Sequence, residues 1–522
     1  MCNFYICTIV NRNKKAFWHS MIMRIDLGKI FLALFIIGVI ARVFTLAVLP
    51  ESALVDSLYH ISVAEKIAAE QAVPLVDRVV ISPLYYVFSA SLHIISNFPF
   101  EMPFVRILPV IITIIFFACA FLLFRKLFPK TYIIPLALSS IFPWLVRYGA
   151  VNYIDVLSAA LLCFILYLFL EISEGKQSIK YAVISALAVS AFVLLKLNTI
   201  ALWPIIFIAF LWLFAKNKNS RINAAAFAVI ALALSGAWLV SAAMQGYGTE
   251  VTLKPGAVAA YTAEMGIAGI ANSVFVSHLS FYDFPPPESF TYIPLLANLP
   301  VSALQIMFTI IMLPITIAIL LGLWAMCKRR SAINIFILLL ILAAVALMLL
   351  MSYAEPDRLR GGLMYIRYLI AAMPLFGIAF AYGLDSLKGK WKMIAIASFA
   401  LFALYALAYA GISSMFYANV YEKHSGLFEF TKSLPEGSKI HSKENGKALV
   451  FYSNAQAGEI AGVYDMPAGE IYSELLEGKF THIAVSCYRN EWKEGKINGL
   501  VQAGLVKEIY KDECASVYEL EK

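Results

Sequence analysis

PLYYVFSASLHIIS, residues 83–96, is the segment whose reading decides which way this chain is threaded. A helix needs about 20 apolar residues to cross ~30 Å of hydrocarbon, and a run of about 14 is more often interfacial or re-entrant. This one also carries His93 and several serines. The apolar runs around it are near the full length, at about 30–49, 104–124, 132–147, 152–170, 180–196, 198–215, 222–244, 300–324, 331–352, 366–384 and 393–412. Such runs are predicted to be helices, because lipid offers no partner to an exposed backbone amide or carbonyl. If 83–96 stays outside, the basic connectors 125–130, 176–180, 216–221, 327–330 and 388–392 share one side with the basic N-terminus. If it crossed, every later connector would flip and the positive-inside bias would be lost. The expectation is therefore eleven crossings, with the N-terminus in the cytoplasm and the C-terminus outside the cell membrane.

Composition agrees. Of 522 residues, 61% are hydrophobic and 14% charged, where a soluble domain carries about 25% charge. The net charge of +8 does not indicate nucleic acid, because the basic residues lie in short clusters between apolar runs. The seven cysteines show neither CxxC nor zinc spacing. Cys487 and Cys514 fall on the expected outer side, where a disulfide and two free thiols are both open. Residues 1–29 are polar and basic with no A-x-A site, so the first apolar run reads as a start-transfer helix, and Met21 or Met23 are alternative starts.

Three parts follow. Residues 1–29 form a cytoplasmic segment, residues 30–412 an all-α polytopic bundle, and residues 413–522 a small extracytoplasmic α/β domain. The bundle's outer loops are 50–103 and 245–299, the latter containing FYDFPPPESF. The tail alternates strand-like runs (ALVFYS, THIAVS, LVKEIY, ASVYEL) with helix-like stretches (AGEIYSELLEGK, EWKEGKINGLVQAG), the pattern of a small α/β fold.

The ionisable residues at the membrane boundary are the candidates for chemistry. Asp56 follows the first span in PESALVDSLYHISVAEKIAAE, ahead of a helix-like stretch with one apolar face; it is either a helix N-cap or an interfacial carboxylate. Asp155, in RYGAVNYIDVLSAALL, lies at the same face in this topology. It reads as a solvated cap or as a functional aspartate. Lys196, Arg147, Arg367 and Tyr365 gather there too, against the charge bias. Singly each could snorkel to lipid phosphates; together they suggest an anionic ligand such as a phosphate. Tyr59, His60, Tyr85 and Tyr86 are candidates for acceptor or loop contacts. Arg42, inside the first span, needs a carboxylate or carbonyl partner that the sequence does not name. No P-loop, Rossmann, HExxH or GxSxG motif appears in a usable context.

The order of these features resembles the C-type (GT-C) glycosyltransferase superfamily. The nearest branch is that of the dolichyl-phosphate-mannose protein mannosyltransferases and bacterial aminoarabinose transferases. The residues that carry it are Ile40-Ala41-Arg42 in the first helix, the acidic first outer loop with its amphipathic helix, and Ser82-Pro83-Leu84-Tyr85-Tyr86. Arg106-Ile107-Leu108, Phe124-Arg125-Lys126-Leu127-Phe128, Asp155, Lys196, and Arg367, Tyr368 and Pro374 complete the series. The match covers about 30–215 well and 360–385 loosely.

The resemblance implies a mannosyltransferase-like enzyme, transferring a hexosyl or pentosyl group from a polyprenyl-phosphate donor, dolichyl phosphate being one carrier. Transfer would invert the anomeric carbon and deliver the sugar to a protein, lipid or glycan acceptor at the outer face. In that reading Asp56 is the general base, Asp155 orients the acceptor, and Lys196, Arg367, Tyr365 and Arg147 hold the donor phosphate. Asp56 and Asp155 would also be the ligands of a divalent metal ion. The family's usual acidic pair is broken here by Ser57, so such a metal would lack its adjacent second carboxylate. The alternative is a secondary transporter or lipid flippase, which would call for midplane charges and inverted repeats of broken helices. A scaffold with a partner-binding tail is a further reading, and it would make Asp56 and Asp155 dispensable.

Overall fold

The computed structural model describes residues 26–49, 55–70, 83–96, 106–216, 220–244, 278–279, 281–282, 300–354, 366–435, 437–441, 456–458, 472–473, 475–486, 495–513 and 515–521. The chain divides into two compact units, Met1–Ala47 with Ile67–Ile412, and Val48–Lys66 with Ser413–Lys522.

The first unit is a helical bundle. It opens with α1 (Leu27–Val48); α2 (Val55–Glu70) follows at the boundary with the second unit, and α3 is Pro83–Ser96. Then come α4 (Ile107–Leu127), α5 (Ile133–Ile141), α6 (Pro143–Gly149), α7 (Asp155–Ser173), α8 (Ile179–Leu195), α9 (Trp203–Ala215) and α10 (Arg221–Met244). The series closes with α11 (Val301–Arg329), α12 (Ala332–Ala354), α13 (Met373–Ser386) and α14 (Gly389–Lys423). Among the described residues eight helices are long and apolar enough to cross a membrane, and two shorter apolar ones, Ile179–Leu195 and Thr199–Ala215, accompany them. With the broken pair α5–α6 these account for the eleven expected crossings of a multi-pass membrane protein.

The break between α5 and α6 has a local cause. Pro143 has no N–H, and its ring collides with the carbonyl four residues back. It also pushes the preceding residue out of helical geometry, and Phe142 sits at φ −56°, ψ 117°. The helix therefore ends at Ile141 and restarts at Pro143.

Short connections force successive helices antiparallel, so the bundle has two chemically distinct ends. At one, Lys126 Nζ meets Glu171 Oε1 at 2.9 Å and Glu174 Oε2 at 2.5 Å, and Lys176 also pairs with Glu171. The basic connectors collect here. At the other end, Arg106 Nη1 donates to the Ala150 carbonyl at 3.0 Å. Glycine permits the closest crossing: a Cβ on Gly322 or Gly383 would fall on the Ala379 or Ala318 carbonyl, so α11 and α13 pack backbone to backbone.

Two readings shift. Part of the supposed outer loop 245–299 reaches into the bundle. His278 Nε2 lies 2.9 Å from Thr316 Oγ1 and Tyr282 Oη 2.8 Å from it, and Thr316 is 15 residues into α11, roughly 22 Å along its axis at ~1.5 Å per residue. Phe281 and Tyr282 pack there against Phe142, Phe376 and Phe402. Burying such rings returns about 1.5–3 kcal/mol each, which outweighs leaving them in water. The last helix is also longer than its span, running 35 residues to Lys423.

The second unit contains a five-stranded sheet of order β2-β1-β3-β5-β4. Its strands are β1 (Lys439–His441), β2 (Gln456–Gly458), β3 (His482–Ser486), β4 (Val506–Lys511) and β5 (Ala515–Leu520). β1 is parallel to β2 and β3, while β5 is antiparallel to β3 and β4. Alternate residues serve opposite faces. Ala484 and Val517 meet Leu427 and Phe428 of α15 (Ser425–Lys432), and Ile483 and Tyr518 meet Ile497 and Leu500 of α16 (Gly495–Gln502). Three of the expected strands are present at their expected positions; ALVFYS, Cys487 and Cys514 lie outside the described residues.

Candidate functional site

Asp155 is the first residue of α7 and Lys196 the residue on which α8 ends. α7 and α8 are antiparallel neighbours, so the start of one lies beside the finish of the other. A helix N-terminus favours an anion and a C-terminus a cation, and the two side chains meet: Lys196 Nζ donates to Asp155 Oδ1. Both are buried, Asp155 at 1% and Lys196 at 6% exposure. The solvated-cap reading of Asp155 is therefore not what the fold shows.

The backbone on either side is tied down. Lys196 is extended at φ −157°, ψ 116°, and the 3-10 turn Leu197–Ala201 that follows is held by Thr199 Oγ1, which donates to the Phe192 and Lys196 carbonyls at 2.8 and 2.7 Å. Ahead of Asp155, residues 150–154 are all buried. They are anchored by Arg106 at Ala150 and by the edge-to-face contact of Tyr148 with Tyr153 at 4.7 Å. Arg147 stands in the last turn of α6, one helix before this loop.

Arg42 supplies the frame. Its Nη2 donates to the Ser139 carbonyl at 3.2 Å, Nε to Ser140 at 3.3 Å and Nη1 to Leu145 at 2.9 Å. Its guanidinium lies 5.4 and 5.0 Å from the rings of Phe116 and Phe117. Ser139 is four residues before Pro143, so its carbonyl is the one the proline leaves without an amide donor. Gly38, one turn earlier on α1, lets the helix approach: a Cβ there would collide with Ser140 Oγ. The partner of Arg42 is thus backbone, which no side-chain motif could have revealed.

The 3-10 segment Ile366–Ala372, which carries Arg367, packs against α7 and α12. Helix α3 packs on α8, with Tyr85 and Tyr86 fully buried and their rings edge to face at 5.7 Å. Asp56, Tyr59 and His60 belong to α2 in the second unit. His60 is buried; the side chains of Asp56, Tyr59 and Arg367, and the whole of Tyr365, lie outside the described residues. Among the described residues no three His, Cys, Asp or Glu side chains form a group that could hold a metal ion, and the carboxylate of Asp155 faces an ammonium instead.

No protein-family model and no curated protein matches this chain. Solved structures do. ArnT from Cupriavidus metallidurans in the apo state superposes with a TM-score of 0.54 at 13% identity, covering 93% of this chain and 97% of that one. The same protein bound to undecaprenyl phosphate gives 0.53 at 12%, covering 95% and 98%. The Archaeoglobus fulgidus oligosaccharyltransferase, tethered to an acceptor peptide containing the NVT sequon, gives 0.52 at 14%, covering 87% and 69%. These likenesses show the fold: a polytopic helical bundle with a small α/β unit, the architecture it shares with these membrane proteins.

Proposed function

We propose that this GT-C bundle is a membrane glycosyltransferase moving a sugar from a polyprenyl-phosphate carrier to an acceptor on the extracytoplasmic face. The carrying observation is the buried Asp155–Lys196 pair at the end of the bundle opposite the basic connectors, in a fold shared with a protein solved with undecaprenyl phosphate. A donor with its tail in the bilayer presents its phosphate at such an end, and no nucleotide-binding fold is needed.

The chemistry is a single inverting displacement. The acceptor oxygen or nitrogen attacks the anomeric carbon and loses its proton to the Asp56 carboxylate. The bond between that carbon and the phosphate oxygen breaks, and its electron pair leaves with the polyprenyl phosphate. Lys196 and Arg367, with Tyr365 and Arg147, stabilise that charge where it develops. Asp155 holds the Lys196 ammonium in position until the donor arrives and orients the acceptor. Tyr59, His60, Tyr85 and Tyr86 shape the approach. Were a divalent ion used, Asp56 and Asp155 are the carboxylates that would hold it, and it would help neutralise the leaving phosphate. The sugar is a hexose or pentose.

The test is release of polyprenyl phosphate from a panel of polyprenyl-phosphate sugars by the purified protein, followed by mass spectrometry. Asp56→Asn is expected to abolish release while undecaprenyl phosphate still binds. Near-normal turnover in that variant removes Asp56 as the base. Movement of intact donor across a proteoliposome without release would favour a flippase instead.

A further inference from the structure

The end of the bundle away from Asp155 carries a second feature, independent of the transfer reading. Four helices finish or begin there with a cation lying over an aromatic ring. Arg125 stands 5.7 Å from the Phe121 ring on α4, and Lys216 Nζ 5.4 Å from the Trp212 ring on α9. Lys328 Nζ is 3.8 Å from the Trp324 ring on α11, and Lys390 Nζ 5.4 Å from the Trp391 ring on α14. The three tryptophans are 49%, 56% and 60% exposed, so they face the surroundings of the bundle and not its core. Each lies within about a turn and a half of its helix end, which puts all three near one depth.

Among the described residues no carboxylate is paired with these lysines, Asp385 at the end of α13 included. At this end Glu171 is already engaged by Lys126 and Lys176, and Glu174 by Lys126. Lys216, Lys328 and Lys390 make no ion pair among the described residues. Indole rings settle at the headgroup level of a bilayer. Ammonium groups held over them stand where lipid phosphates lie, and unneutralised cations at a membrane surface attract anionic headgroups within a Debye length of ~8 Å.

We propose that these lysine–tryptophan pairs form a docking ring for anionic phospholipid headgroups, one site on each of α9, α11 and α14. The tryptophan packs against the glycerol and upper acyl region while the lysine takes the phosphate. The partner is the lipid of one leaflet and not a soluble anion.

The experiment uses the full chain in zwitterionic nanodiscs with brominated phosphatidylglycerol or brominated phosphatidylcholine, read by quenching of tryptophan fluorescence. Brominated phosphatidylglycerol is expected to quench at lower mole fraction. The triple variant K216Q/K328Q/K390Q should lose that preference, its affinity falling by on the order of a hundredfold at ~5-fold per lysine. The variant W212F/W324F/W391F should lose the quenched component, which assigns the signal to these rings. Equal quenching by the two lipids, or a preference surviving in the lysine variant, overturns the proposal. So does displacement of the lipid by inorganic phosphate at physiological ionic strength. All six positions are exposed, and unchanged thermal melting separates loss of lipid from loss of fold.

Discussion

Arg42 donates to the Ser139 carbonyl at 3.2 Å, the carbonyl that Pro143 deprives of its helical amide. One residue on α1 thus completes a break in a helix about a hundred residues later in the chain. An unsatisfied carbonyl buried in hydrocarbon has no water to fall back on, so the proline break and the arginine are physically one feature.

Arg42→Ala should therefore destabilise the bundle by ~3 kcal/mol, since each buried acceptor left without a donor costs ~1–3 kcal/mol. Arg42→Lys should recover part of the loss, because an ammonium cannot span three carbonyls as a guanidinium does. Detergent-titration unfolding in mixed micelles checks it; an unchanged midpoint in the alanine variant would rule the clamp out.

Asp155 and Lys196 should behave as a unit. Removing either partner strands a buried charge, and Asp155→Asn or Lys196→Met alone should each cost ~3–5 kcal/mol. Replacing both together should cost less than the two losses added. A double-mutant cycle showing strict additivity would mean the two groups do not interact.

The α11–α13 crossing predicts a contrast between two glycines. Gly383→Ala puts a methyl onto the Ala318 carbonyl and should cost ~1–3 kcal/mol by overpacking. Gly411→Ala meets only Phe44 Cε1 at 3.9 Å and should be neutral or stabilising by up to ~1 kcal/mol. Similar melting temperatures for the two would contradict the close approach.

His482 gives the soluble unit a pH dependence. It is buried in β3, with Thr481 Oγ1 2.7 Å from Nδ1, and burial lowers its pKa, Glu519 at 4.0 Å opposing only in part. The unfolded chain therefore binds a proton before the folded one does. Stability contributed by the neutral ring is intact above the ordinary histidine value of ~6.5 and is lost as pH falls from there through the folded pKa. The protection factors of the β3 and β5 amides, with the intrinsic pH dependence of exchange removed, should fall between pH 7 and 5, and His482→Gln should flatten that change. Identical profiles in the two proteins would exclude His482 as the cause.

Sidedness can be read by labelling. Lys388→Cys, in the exposed connector before α14, should react with impermeant maleimide only from the cytoplasm, and Lys507→Cys, exposed on β4, only from outside. Both reacting from one side would invert or break the threading deduced from the charge pattern.

Much of the architecture was legible because it follows from local rules. Apolar runs near 20 residues pointed to the crossings, and strand-like runs alternating with helix-like stretches pointed to THIAVS, LVKEIY and ASVYEL. β1 and β2 went unread because three residues are too few for a period to show. The inward reach of His278 and Tyr282 was hidden for another reason: proline and glycine around them read as a loop, and only the aromatic pocket supplied by Phe142, Phe376 and Phe402 makes burial favourable.

The sequence alone determined that this chain lives in a membrane, how its basic residues sort to one end, and which titratable residues stand near the opposite boundary. Tertiary structure decided what those residues touch. Asp155 and Lys196 are 41 positions apart and each reads equally well as a surface group. They become a buried pair because two antiparallel helices bring a positive helix start and a negative helix finish together. Arg42 chose three carbonyls, and a carbonyl carries no letter in a sequence; it is available only where a distant proline has emptied it.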